Sequence, residues 1–355
     1  MLATLASAPQ HEIALCFDGR LSALLREAGR APYLLGDCRI GRPWSVYRAR
    51  ARLSARLKQD RYDALIFHAP WSLALFSGVA TRHRIPSVFW QHDPARGTHW
   101  LERWSKRQKP ELAICNSEFT QRSLPLLFPD LPSAVVHCPV QLPDPAQAAQ
   151  MREAARAELQ LASNTVAIFQ ISRVEPMKGQ HLHLAAIRRL TDLKNWVSIF
   201  VGGPQRPREQ AHFNELRAAC ENWGLSNQVR FLGERPDAKR LVAAADLFVQ
   251  PNLRPEAFGI SFIEALAAGV PVISTALGGA NEIITPECGI LVAPNDPRAL
   301  ERSLRTLILD VEMRQRLGRA GPSRARQLCD VPQQLLVLER LLARHFAHST
   351  EGPNK

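Results

Sequence analysis

No stretch of this sequence approaches the roughly 18 consecutive apolar residues that a membrane-spanning helix needs. The opening Met1-Leu2-Ala3-Thr4-Leu5-Ala6-Ser7 has no basic flank and only a short apolar run, unlike a secretory signal. The seven cysteines are odd in number, scattered, and never spaced as C-x-x-C. That pattern excludes a zinc finger and argues against a disulfide framework. It fits reduced thiols serving as small core residues in a cytoplasmic protein. An Asp-x-Asp pair, the usual carboxylate seat for a divalent cation, is missing. No run of Lys and Arg is long enough for a nucleic-acid arm, and no zinc-finger, homeodomain or RNP pattern occurs. The expectation is a chain with no metal, no organic cofactor and no nucleic-acid partner.

What is present is ample core material. The chain has 355 residues, 46% of them hydrophobic, and a net charge of +12. Its length suits two domains, and the first 140 residues hold somewhat more than their share of the positive charge. Short apolar runs alternate with helical patterns throughout, which is the signature of βα units around parallel sheets. Strands are expected near Glu12–Phe17, Pro32–Leu35, Asp63–His68, Pro86–Trp90, Leu112–Cys115 and Ala134–Cys138. A second series is expected near Val166–Ile171, Val197–Val201, Val229–Leu232, Leu247–Gln250, Val272–Ser274 and Gly289–Val292. The segment Gln141–Gln150, rich in Pro, Ala and Gln, reads as a linker. The expected domains are therefore 1–140 and 141–330, followed by a helix over 331–347 and a disordered tail over 348–355. Ligands of open α/β sheets sit at the carboxyl ends of the strands. Two such domains would place a ligand in a cleft between them.

Three turns carry chemistry. The first is Pro251-Asn252-Leu253-Arg254-Pro255-Glu256-Ala257-Phe258-Gly259-Ile260-Ser261-Phe262-Ile263-Glu264, which follows a strand and opens a helix. The free N–H groups at a helix start favour an anion. Glu256 is a loop acid with no local role. Ser261 and Glu264 have the S-x-x-E spacing of a capping box, a bland role compatible with a second one in which the carboxylate accepts a ribose hydroxyl. The second turn, Ser172-Arg173-Val174-Glu175-Pro176-Met177-Lys178-Gly179, places two cations beside a helix N-terminus, a setting suited to a diphosphate. Taken alone, it reads rather as two surface bases on a loop. The third is the pair Gly278-Gly279 after a strand, with Gly202-Gly203 ending another in the same way.

Together these pieces resemble the nucleotide-sugar domain of the family 4 retaining glycosyltransferases, which have the GT-B fold of two Rossmann-like domains. The matching pieces are Ser172-Arg173, Lys178-Gly179, Gly202-Gly203, Phe231-Leu232-Gly233, Glu256 and Glu264 with Phe258-Gly259-Ile260 between them, and Gly278-Gly279 with Glu282. By that resemblance, Arg173 and Lys178 hold the diphosphate and Glu256 contacts the donor sugar. Glu264 holds the ribose, and the backbone of Phe258, Gly259 and Ile260 lines the sugar-phosphate site. The loop at Leu232 lies near the base, and the last helix crosses back to the first domain.

In the first half, Phe89-Trp90-Gln91-His92-Asp93 resembles the family's strand-end histidine near the transferred sugar. Asn116 and Ser117 read either as site residues or as a helix cap. The resemblance also implies that the family's opening strand and glycine-rich loop are missing from the first domain. The function implied is metal-independent, retaining transfer of a hexose from a UDP- or GDP-sugar to a glycan or lipid-linked acceptor. The alternative is a non-catalytic nucleotide-sugar-binding subunit. Arg48, Arg52 and Arg56 recur every fourth residue. They suggest either a solvated outer helix or a basic face resting on an anionic membrane.

Overall fold

The structure, a computed structural model, describes residue 8 and residues 10–346; the tail over 348–355 lies outside the described residues. The chain divides into two compact units, changing from the first to the second at Gln141/Leu142 and back at Asp330/Val331.

The first unit contains two parallel sheets. Strands β1 (Ala14–Leu15) and β2 (Tyr33–Leu34) form a two-stranded sheet. Strands β3 (Leu65–Phe67), β4 (Ser87–Gln91), β5 (Leu112–Cys115) and β6 (Ser133–Val135) form a second sheet in that order. All of β4 and β5 is buried, as a parallel sheet covered on both faces requires. One face packs against the helix Pro70–Arg82, where Leu73, Leu75 and Phe76 meet Phe67, Phe89 and Ala113. The other face is covered by the helix Val331–Phe346, whose Leu338 and Phe346 join Val88, Trp90 and Ile114. The last helix thus belongs to the core of the first unit.

The second unit is a single six-stranded parallel sheet. It comprises β7 (Val166–Ile171), β8 (Trp196–Val201), β9 (Val229–Phe231), β10 (Leu247–Gln250), β11 (Val272–Thr275) and β12 (Gly289–Val292). The spatial order is β12-β11-β10-β7-β8-β9. This is the doubly wound Rossmann order, and the direction of winding reverses between β7 and β10. Acidic caps set several helix starts. The Asp296 carboxylate accepts from the Arg298 and Ala299 N–H groups, at 2.9 Å each, ahead of the helix Pro297–Leu309. Asp310 caps the helix Val311–Cys329 through the Met313 N–H at 2.8 Å. His183 is fully buried between Gln170 and Ser198, and desolvation lowers its pKa to about 3, so it is a neutral core histidine.

Two local expectations change. The expected linker is largely helical. Pro145–Glu158 forms a helix capped by Asp144. Its Arg152 and Arg156 reach the Asp246 carboxylate at 2.5 and 2.9 Å and the carbonyls of Ala243, Ala244 and Ala245. Both arginines lie just beyond the expected linker, on the helix that its second half opens. The basic stripe is also partly spent inside the first unit. Arg52 donates to the Leu35 carbonyl at 3.2 Å, and Arg56 pairs with Glu12 at 2.7 Å and with Asp60. Only Arg48 of the three makes no such contact among the described residues.

Candidate functional site

The switch point of the second unit gathers the strongest sequence signals. The β7 turn ends in a short 3-10 helix, Pro176–Lys178, and the β10 turn runs alongside it. Three hydrogen bonds tie them to each other and to the sheet. Leu253 N–H donates to the Met177 carbonyl at 2.8 Å, Gln170 Nε2 donates to the Lys178 carbonyl at 2.7 Å, and Thr275 Oγ1 donates to the Asn252 carbonyl at 2.7 Å. The two turns touch at Gly179, which has φ of +71°. A Cβ at that position would lie 1.9 Å from the Pro251 carbonyl oxygen, so only glycine fits.

That contact brings Lys178 and Glu256 together. Lys178 Nζ donates to Glu256 Oε1 at 2.7 Å, and both side chains are largely buried. Glu256 Oε2 accepts from Gln250 Nε2 at 2.8 Å and from Asn252 Nδ2 at 2.9 Å. The main chain of Glu256 is fixed as well, through an isolated bridge to Gly278 and the Gly279 N–H donating to its carbonyl at 2.9 Å. Gly278 and Gly279 therefore do not border open space. A Cβ on either would stand 2.3 Å from the carbonyl oxygen of Glu256 or Phe258 respectively. Gln250 and Asn252, both buried, are site residues the sequence reading passed over. Their signal was an amide two residues apart at a strand end, just before a loop carboxylate.

The helix Ile260–Ala267 starts at Gly259, with φ of +116°. Its N-cap is Gly259, so Ser261 lies within the first turn and the expected capping box does not form. Ser261 Oγ instead donates to Gln250 Oε1 at 3.4 Å. This frees Glu264 from the bland role. Burial raises the Glu264 pKa, against a smaller opposing effect of Lys239. Phe258 is buried, and Ile260 is exposed at the helix start. Arg173 stands apart from the Lys178–Glu256 pair. It is half exposed and pairs with Glu175 at 2.8 Å. Gly202 packs on the Ser172 carbonyl and donates from its N–H to the Gly233 carbonyl at 2.7 Å, while Gly203 abuts Glu234. Leu232, next to Gly233, donates its N–H to the Phe200 carbonyl at 2.9 Å. Among the described residues, no group of three or more His, Cys, Asp or Glu side chains could hold a metal ion.

In the first unit, His92 lies one residue beyond β4. Its carbonyl accepts from Asn116 Nδ2 at 2.9 Å. Ser117 caps the helix Glu118–Ser123 through the Thr120 N–H at 3.0 Å. Asn116 thus supports His92, and Ser117 is the cap. His68, which follows β3, meets His92 with Nδ1 and Nε2 3.0 Å apart. The two rings line a cavity of about 230 Å³ that also includes Trp71, His99 and Glu102. Burial lowers the pKa of His92 to about 4 and that of His68 to about 3, the latter with a further contribution from His92.

With this geometry in place, comparison with known proteins is decisive for the family. Residues 2–142 match the model described as Glycosyltransferase Family 4, and residues 151–324 match Glycosyl transferases group 1. The chain belongs to the family 4 glycosyltransferases. It is similar to a D-inositol 3-phosphate glycosyltransferase of Corynebacterium glutamicum, with 33% identity over 180 residues, covering 49% of this chain and 42% of that protein. It is also similar to a GDP-mannose-dependent monoacylated alpha-(1-6)-phosphatidylinositol monomannoside mannosyltransferase of the same species. That match has 33% identity over 178 residues and covers 48% of this chain and 45% of that protein. The matches thus span less than half the length of these curated relatives. Among solved structures, Anabaena HepE in complex with UDP and glucose superposes with a TM-score of 0.81 at 23% identity, over 96% of this chain and 95% of that one. A glycosyltransferase from Rickettsia africae gives a TM-score of 0.83 at 18% identity, over 99% and 94%. The fold of this family 4 chain is GT-B, with parallel-sheet α/β domains.

The knot at Gly179 predicts a paired result. Gly179→Ala should lower the unfolding free energy by about 2 kcal/mol or more, because a strained φ and a backbone clash add. Gly224→Ala, at φ +70° with nothing within 4 Å, should cost only about 1 kcal/mol. Denaturant melts of both variants check this, and equal losses would show that the Pro251 contact is unimportant.

Proposed function

We propose that this protein is a retaining, metal-independent glycosyltransferase that moves a hexose from a UDP- or GDP-sugar to a hydroxyl of a glycan or lipid-linked acceptor. The observation that carries this reading is the Lys178–Glu256 pair at the switch point of the second unit. A cation and a carboxylate there, with two helix N-termini beside them, match the two ends of a sugar diphosphate. Cleavage of the sugar–phosphate bond places negative charge on the departing diphosphate. Lys178, Arg173 turned from Glu175, and the N–H groups opening the helices Gln180–Ile187 and Ile260–Ala267 stabilise that charge without a metal ion. Glu256, with Gln250 and Asn252 fixing its carboxylate, receives the sugar hydroxyls. Glu264 receives the ribose, and the backbone of Phe258, Gly259 and Ile260 follows the phosphates. Retention follows if the acceptor attacks on the face the diphosphate leaves, with a phosphate oxygen taking its proton. No side chain then acts as nucleophile. His92, in the first unit, serves as the histidine that meets the transferred sugar.

A thermal-shift panel of UDP, GDP, ADP and their hexose conjugates tests the donor site, because ligand at about 100 times Kd adds about 2.7 kcal/mol of apparent stability. One nucleotide family should raise Tm equally with and without Mg²⁺, and Lys178→Ala should abolish most of the shift. No shift with any of them, or an undiminished shift in folded Lys178→Ala, would contradict the assignment.

Peripheral contact of the first unit with an anionic membrane on the cytoplasmic side belongs to the same proposal. It is supported by Trp44 and Tyr47, 77% and 66% exposed, beside Arg48 on the helix Pro43–Arg56 and Arg42 at its N-cap. No helix among the described residues is long and apolar enough to cross a membrane. Co-sedimentation with phosphatidylglycerol vesicles should exceed that with phosphatidylcholine vesicles and fall in the Trp44→Ser, Tyr47→Ser double variant. Binding indifferent to lipid charge and to both substitutions would remove this part.

A further inference from the structure

The first unit sets beside His92 a second histidine, His68, to which the family resemblance gives no role. His68 is the first residue after β3, and His92 the first after β4. The register of these strands pairs Phe67 with Phe89, so His68 emerges level with Trp90. Side chains two apart share a face of a strand, which puts Ile66 and His68 with Val88, Trp90 and His92. Ile66, Val88 and Trp90 pack under the last helix. The two imidazoles continue that layer past the end of the sheet.

Three aromatic rings lie there with nearly parallel planes, the two imidazoles meeting edge to edge through their nitrogens. The His68 and Trp90 centroids are 5.1 Å apart with planes 21° apart. Trp90 and His92 are 5.8 Å and 11° apart, and His68 and His92 are 5.3 Å and 10° apart. Trp90 is 5% exposed and held by Leu338 and Phe346, so it anchors both imidazoles to the core. The backbone of His92 is held separately, by Asn116 on its carbonyl. One ring nitrogen, Nε2, is taken by Nδ1 of His68. The other, Nδ1, has no hydrogen-bond partner among the described residues, and the ring borders the cavity.

We propose that His68 is a positioning residue for His92: by engaging Nε2 it fixes the orientation and tautomer of that ring and leaves Nδ1 as the one ring nitrogen free to meet a substrate hydroxyl. The chemistry requires a shared proton. Of two neutral imidazoles in contact, one nitrogen donates and the other accepts, so the two tautomers are coupled: a His68 that donates from Nδ1 puts the hydrogen of His92 on Nδ1, and a His68 that accepts there puts it on Nε2. Burial of the pair disfavours a second proton, which would put charge on one ring. His92 is then kept from acting as an imidazolium and meets a hydroxyl as an oriented neutral dipole. The functional half of this inference rests on the reading of His92 as the histidine that meets the transferred sugar.

The experiment uses the full chain labelled with ¹⁵N at the histidine rings. Long-range ¹⁵N–¹H correlation spectra report the tautomer of each imidazole, and His92→Gln assigns the signals. The wild-type His92 should show one strongly biased tautomer. His68→Leu should average it toward a mixture, whereas His68→Asn, whose amide can meet His92 Nε2, should keep it biased. Turnover of the nucleotide sugar identified in the thermal-shift panel should fall about 10- to 100-fold in His68→Leu, the scale seen when an orienting partner is lost. The donor KM should stay nearly constant, and His68→Asn should restore most of the rate. An unchanged His92 spectrum in folded His68→Leu, or equal loss of rate in the Leu and Asn variants, would overturn the proposal. The spectra decide the pairing even if no nucleotide sugar is turned over, so failure of the proposed function is distinguishable from failure of this inference.

Discussion

The carboxylate of Glu256 receives three hydrogen bonds on two oxygens, and its donors lie on both sides of the switch point in the second sheet. Lys178 comes from the turn after β7, and Gln250 and Asn252 come from the end of β10. The pair forms only because the two turns approach to backbone contact, and they do so only because position 179 has no side chain. The tie from Glu256 to Gly278 and Gly279 then brings in the turn after β11. Three loops on adjacent strands thus share one knot. A buried charge without a partner is costly, so Lys178 and Glu256 each keep the other in place. In the proposed function, an anionic diphosphate for Lys178 and sugar hydroxyls for Glu256 are the replacement.

Much of the second unit was legible in the sequence because parallel strands buried on both faces write themselves as continuous apolar runs. Val166–Ile171, Leu247–Gln250 and Gly289–Val292 have the expected ends. In the first unit Leu112–Cys115 also has the expected ends and Ser87–Gln91 has the expected length, whereas the strands at Ala14, Tyr33, Leu65 and Ser133 are shorter than expected. Only Ala14–Leu15 of Glu12–Phe17 pairs, because the small sheet offers it a partner at just two residues, Tyr33 and Leu34. The chain passes between the units at Gln141/Leu142, inside the expected linker, but the helix Pro145–Glu158 is held by arginines beyond that segment. Arg152 and Arg156 dock on Asp246, which is distant in sequence.

Side-chain partnership was the least legible level. The spacing of Ser261 and Glu264 suggests a capping box, yet the αL glycine one residue before the helix takes the N-cap position. Glu256 stood out as a loop acid, whereas its supports Gln250 and Asn252 did not, because two amides at a strand end show their meaning only once the fold buries them against the carboxylate. His68 was read only as the end of a strand. Its role emerges from the parallel register of β3 and β4, which sets it two positions short of His92 and against the same tryptophan. The stripe of arginines was correctly periodic, but two of its three members are used within their own unit.

The central claim is that the knot at the switch point is where the sugar diphosphate binds. A crystal structure of the chain with bound nucleoside diphosphate tests it most directly. The account predicts phosphate oxygens within hydrogen-bond distance of Lys178 Nζ and of the backbone N–H groups at Gly259 and Ile260, with the Lys178–Glu256 contact opened or shared. A diphosphate bound elsewhere, with that pair intact and undisturbed, would contradict it.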